Sequence, residues 1–219
     1  MDIERGSQQG GLMLTALDIQ GVALSRGERV LFRDLSLSIK TGQAVALTGA
    51  NGAGKTSLLR AVAGFIRPDA GRILFHGVDG VAVETETARR EGAHLLGHLE
   101  GLKPVRTAGQ EFDFQTGWLG EGRKRRVEAI ERLALSPLLD LETRKLSAGQ
   151  KRRLSLARLV AAPRPIWLLD EPLAPLDERW RGVAADLMAD HLATGGMILA
   201  AVHDPLPVAA REFDLGDWA

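Results

Sequence analysis

The sequence predicts an α/β fold around a mainly parallel sheet. Short apolar runs alternate with stretches of helical periodicity between about residues 43 and 202. A glycine-rich segment also joins one apolar run directly to a helical stretch. The chain has 219 residues, 45% hydrophobic and 26% charged, which suits one globular domain with a sizeable core.

The elements follow in chain order. Residues 1–11 are polar and rich in Gly and Gln. They lack the apolar centre of a signal peptide and read as a flexible tail before a single domain over 12–219. Leu12–Gln20 and Leu35–Ile39 suit strands, with the turn-rich Ser25-Arg26-Gly27-Glu28 between them. Gln43–Thr48 is a short apolar strand ending at Gly49. From Lys55, residues Leu58, Leu59, Val62 and Ala63 share one helical face, and Gly64 and Pro68 end that helix. Arg72–Phe75 and Ala93–Leu96 read as strands.

From Lys103 to Leu146 the texture becomes helical and charged, with Val127, Ile130 and Leu133 at helical spacing. Together with a helix over Ala148–Ala161, this gives a helical subdomain at about 103–160. Pro165–Leu169 is a fully apolar strand, Arg179–Ala193 an amphipathic helix closed by Gly195-Gly196, and Met197–Val202 another apolar strand.

Composition narrows the function. Lys plus Arg equals Asp plus Glu, 28 against 28, so no whole-chain field favours nucleic acid or an anionic membrane. There is no cysteine, hence no disulfide, thiolate metal site or cysteine nucleophile. No apolar run approaches the roughly 20 residues that span a bilayer. Arg123-Lys124-Arg125-Arg126 has Glu121, Glu128 and Glu131 nearby, as on a solvated helix face, and no nucleic-acid partner is expected. Trp118, Trp167, Trp180 and Trp218 lack the spacing of a stacking platform. His94 and His98 stand four apart, but no acidic help marks them as metal ligands.

Gly49-Ala50-Asn51-Gly52-Ala53-Gly54-Lys55-Thr56 matches G-x-x-x-x-G-K-[ST] between a strand and a helix. Glycines let backbone N–H groups turn inward around phosphate oxygens, and the helix N-terminus adds partial positive charge. Lys55 suits the β- and γ-phosphates, and the Thr56 hydroxyl suits Mg²⁺. Alone, this loop serves a GTPase, a small-molecule kinase or a motor equally well.

Two later clusters narrow the class. Leu146-Ser147-Ala148-Gly149-Gln150 precedes a helix that Ser147 can cap, and Gly149 permits close backbone approach to a phosphate. The apolar strand ending in Asp170-Glu171 delivers two carboxylates to the sheet edge. Asp170 can hold the Mg²⁺ shell, and Glu171 can orient or deprotonate a water.

In this order the motifs resemble those of ABC transporter ATP-binding proteins. Pro172-Leu173-Ala174-Pro175-Leu176-Asp177 resembles the family's D-loop, and Val202-His203-Asp204 its switch-histidine loop. The likeness runs from about Ala44 to Asp204. It implies a P-loop ABC nucleotide-binding domain with an antiparallel β lobe and a helical subdomain beside the parallel sheet. It implies ATP and Mg²⁺ as cofactors, a head-to-tail homodimer, and integral membrane permease chains as partners. Each ATP would lie between Gly49–Thr56 with Ser57 of one copy and Ser147, Gly149 and Gln150 of the other. Thr56 and Asp170 would serve the metal, and Lys55, Glu171 and His203 catalysis. The implied location is peripheral, on the cytoplasmic face of the bacterial inner membrane.

The chain departs from the family twice. Ser25–Arg29 lacks the usual adenine-stacking aromatic, with Arg26 a candidate replacement by its guanidinium plane. Leu99 stands where the Q-loop glutamine is expected, with His98 and Glu100 beside it as alternative donors. The Gly97-His98 pair, Arg26–Phe32 and Leu146–Arg153 resemble the haem exporter ATP-binding subfamily of cytochrome c maturation. Pro68–Gly71 and the short stretch after Asp204 agree with that subfamily. A soluble ABC ATPase that transports nothing, such as an iron–sulfur assembly ATPase, stays open as the alternative.

Overall fold

The computed structural model describes residues 12–98, 100–117 and 123–218. The tail over 1–11, Leu99 and Trp118 lie outside the described residues.

The chain begins with strands β1 (Leu14–Arg26), β2 (Arg29–Lys40) and β3 (Ala44–Thr48), then helix α1 (Lys55–Val62). Strands β4 (Ala70–Gly77) and β5 (Ala82–Val83), helix α2 (Thr85–Gly92) and strand β6 (Ala93–Leu96) follow. Three helices come next: α3 (Ala108–Gly117), α4 (Arg123–Arg132) and α5 (Ala148–Ala161). The chain then runs through β7 (Ile166–Asp170), α6 (Glu178–Ala193), β8 (Met197–Ala201) and β9 (Arg211–Asp214).

Two sheets result. The antiparallel one has the order β2-β1-β4-β5. Its first hairpin turns through Gly27 and Glu28, and Gly27 takes the positive φ of 62° that this tight turn requires. The other sheet is parallel, with the order β6-β7-β8-β3-β9. Every residue of β7 and β8 is buried, as expected of parallel strands covered on both faces.

The pleat of β7 sends alternate residues to two cores. Ile166 and Leu168 join Leu58, Leu59, Phe32 and Phe75 between the parallel sheet, α1 and the antiparallel sheet. Trp167 and Leu169 join Phe112, Ile130, Leu154 and Leu187 on the side of α3–α6.

Three elements escape the hydrophobic pattern. The α2 stretch, TETARREG, buries only Ala88 and Gly92, and its start is fixed by the Glu84 carboxylate accepting from the backbone N–H of Glu86 and Thr87. The two-residue β5, AV, is too short to show a period, and the sheet-edge strand β9, REFD, exposes three of its four residues and carries no run of apolar side chains. On α4, Arg123, Lys124 and Arg125 are exposed, and Arg126 pairs with Asp113 at 2.7 Å. No helix among the described residues is long and apolar enough to cross a membrane.

Candidate active site

The loop after β3 runs through Gly49, Gly52 and Gly54 at φ 115°, 81° and 104°, backbone that side-chain-bearing residues rarely adopt. Two of these glycines also sit against packed neighbours. A Cβ on Gly54 would lie 2.9 Å from the ring of buried Phe32, and one on Gly49 would lie 2.8 Å from Asp214 Oδ1. Hairpin and last strand thus form the floor on which the loop rests. No side chain caps α1, so its first-turn amides face the loop. The Lys55 Nζ donates to the carbonyls of Gly49 at 2.6 Å and Ala50 at 3.3 Å, holding the ammonium over the loop.

Strand β7 brings the second half. The Thr56 hydroxyl donates to Asp170 Oδ1 at 3.1 Å, and Asp170 is buried. An alcohol and a carboxylate oxygen side by side are hard donors of the kind Mg²⁺ prefers. No cluster of three His, Cys, Asp or Glu side chains that could cage a metal occurs among the described residues. Such an ion would therefore need phosphate and water oxygens for the rest of its shell. Glu171 follows in left-handed backbone at φ 46°, its N–H bonded to the Ala201 carbonyl at 2.9 Å. A non-glycine residue in that region stores strain, which the flanking strands hold in place. His203 Nε2 lies 3.2 Å from Glu171 Oε1, and His98 Nδ1 lies 3.7 Å from Glu171 Oε2.

These residues open onto a cleft of about 470 Å³, lined by Asn51–Ser57, Arg26, Arg29, Leu31, Arg60, Glu171 and His203. Arg26 and Arg29 stand at the hairpin turn, and the Arg29 guanidinium approaches Gly52. Ser147, Gly149 and Gln150 do not line it. In this chain Ser147 and Gln150 cap α5 reciprocally, at 3.2 and 2.8 Å, and Gly149 packs against the Pro175 carbonyl.

Lys151-Arg152-Arg153, three cations directly after Leu146–Gln150, would suit a surface facing phosphate or a partner. Two of the three point inward instead. Arg152 is 1% exposed, donates to the Gly97 carbonyl at 3.0 Å and lies 3.4 Å from Glu100 Oε1. Burial pulls its pKa below the ordinary guanidinium value, and Glu100, Asp170 and Glu171 oppose that shift. Arg153 donates to the Leu133 carbonyl and stacks over Trp180. A run of three cations reads as surface, and only helix phase relative to the packed layers reveals the buried pair.

The description "ABC transporter" fits residues 32–174 as a protein family. The chain belongs to the ABC transporter family. It is an ABC-type ATPase, and it binds ATP. Among curated relatives, the Cytochrome c biogenesis ATP-binding export protein CcmA of Nitrobacter winogradskyi is 45% identical over 199 residues, 91% of this chain and 97% of that protein. The protein of the same name from Maricaulis maris is 44% identical over 201 residues, 91% and 92% of the two chains. An ABC transporter ATP-binding protein from Pyrococcus furiosus has the same fold, with a TM-score of 0.78 at 19% identity over 94% of this chain and 100% of that one. The ADP- and Pi-bound ATP-binding cassette MJ0796 superposes with a TM-score of 0.70 at 23% identity, over 86% of this chain and 88% of that one.

Proposed function

We propose that the chain is the ATP-hydrolysing subunit of the haem exporter used in cytochrome c biogenesis, working peripherally at the cytoplasmic face of the inner membrane. Identity of 45% to a Cytochrome c biogenesis ATP-binding export protein, nearly end to end, supports this over the iron–sulfur assembly alternative. Within the site, the observation that carries hydrolysis is the Thr56–Asp170 contact, which joins the phosphate loop to the Asp-Glu pair across 114 residues of sequence.

The residue roles follow from that geometry. The amides of Gly49–Ser57 would cradle the phosphates, with Lys55 over the β- and γ-groups. Thr56 and Asp170 would hold Mg²⁺, which when bound neutralises charge on the β- and γ-phosphates. Glu171 would orient a water for attack on the γ-phosphorus and accept its proton. His203, beside Glu171, would reach the γ-phosphate.

Ser147, Gly149 and Gln150 lie away from the cleft of their own chain. We place them on the nucleotide of a second copy, in a head-to-tail homodimer seated on integral membrane chains. We propose one unit over 12–219 with a helical subdomain at about 103–160. Deleting the gene tests the haem assignment, with loss of c-type cytochromes expected. Full c-type cytochrome content in the deletion strain would overturn it. Affinity purification from membranes should also co-isolate a multispanning chain, and recovery from the soluble fraction alone would overturn the transporter reading.

A further inference from the structure

The site contains a second imidazole for which the roles above have no use. Strands β6 and β7 run parallel, with Leu96 in register with Leu169. His98 and Glu171 each stand two residues past that pair. The side chains meet accordingly, His98 Nδ1 at 3.7 Å from Glu171 Oε2. On the other flank of β7, β8 pairs Ala201 with Asp170 and leads to His203, 3.2 Å from Glu171 Oε1. Each strand neighbouring β7 therefore delivers one histidine to one oxygen of the same carboxylate.

The backbone just before His98 is anchored to α5. The neighbouring Gly97 and Glu100 are both tied to the buried Arg152, through the Gly97 carbonyl at 3.0 Å and the Glu100 carboxylate at 3.4 Å. The His98 side chain itself is 65% exposed and so contributes little packing. Its one ion-pair contact among the described residues is Glu171.

We propose that His98 is a positioning residue for Glu171, donating from Nδ1 to Oε2. It keeps the carboxylate aimed at the water while His203 turns to the γ-phosphate. The contact is longer than a hydrogen bond, as such contacts often are before substrate binds and the site tightens. The inference rests on Glu171 acting as the base.

Steady-state ATP hydrolysis and ATP binding by the full-length protein test it. His98→Ala lowers kcat about 10- to 100-fold, the scale of a misplaced catalytic group, and leaves the Kd for ATP within about twofold. His98→Gln and His98→Asn, which keep an N–H donor, recover to within about fivefold of wild type. In a Glu171→Gln background, His98→Ala costs nothing further. A kcat within twofold of wild type for His98→Ala, or an equal loss in both backgrounds, overturns the positioning role alone. Wild-type turnover in Glu171→Gln overturns the role of Glu171 and the proposal with it. Unchanged thermal unfolding of His98→Ala separates these outcomes from misfolding.

Discussion

Glu171 sits at a junction of three strands and pays for it in backbone strain. A left-handed φ of 46° on a non-glycine residue lifts its carboxylate off the end of β7 toward the cleft. Glu171→Gln keeps the shape and removes the basicity, so ATP should still bind while turnover falls by about 10²-fold or more. Single-turnover hydrolysis beside an ATP-binding isotherm checks both halves. Two other histidines act on stability. Burial pulls the imidazole of His94 down to about 3 and that of His191 down to about 4. His94 bonds to the Ala162 carbonyl, and His191 stacks on Trp167 at 3.9 Å between centroids. The unfolded chain takes up protons near pH 6.5 that the folded chain refuses until pH 3 to 4. Stability is therefore full above about pH 6.5 and declines as pH falls toward 4, by up to roughly 1.4 kcal/mol per unit for each histidine. Urea midpoints at pH 7 and pH 5 should differ accordingly, and His94→Gln should flatten the difference if the fold accepts it.

Elements whose chemistry is local in sequence were the legible ones. Gly49–Thr56 combines a fixed spacing with strand and helix context, and the apolar run before Asp170 reports its own burial. Strand β9 and helix α2 were not legible, because edge and surface positions relieve their residues of any apolar period. The approach of His98 to Glu171 depends on the register of β6 against β7, which no single stretch of sequence encodes. The antiparallel sheet supplies a matched pair of tests. Gly71, at φ 78°, would put a Cβ 2.3 Å from the Gly21 carbonyl oxygen, whereas Gly27, at φ 62°, has open space around it. Gly71→Ala should lose about 2–4 kcal/mol of stability by combined clash and strain. Gly27→Ala should lose about 1 kcal/mol from strain alone. Equal losses in denaturant titrations would contradict that division.

For the whole molecule, the placement of Ser147 away from its own cleft gives the proposed assembly a direct test. If the cleft of one copy is completed by α5 of another, two defects on different copies should complement. Lys55→Ala disables a phosphate loop, and Ser147→Arg blocks the facing segment. Each variant alone should be nearly inactive. Mixed heterodimers of the two keep one intact composite site, so the mixture should regain up to about a quarter of wild-type activity when half the dimers are mixed and one of their two sites works. No recovery, with mixed dimers demonstrated by cross-linking, would refute the head-to-tail arrangement. Contacts far apart in sequence dominate this fold, since β3 pairs with both β8 and β9, and folding should be slow accordingly.

That last pairing bears on synthesis. The glycine that opens the phosphate loop rests against Asp214, which lies on the last strand and emerges from the ribosome long after residue 49. A nascent chain carrying the whole loop still lacks the strand beneath it. The loop is braced only once residue 214 has been made, so a nascent chain that stops short of β9 should bind ATP more weakly than one that includes it.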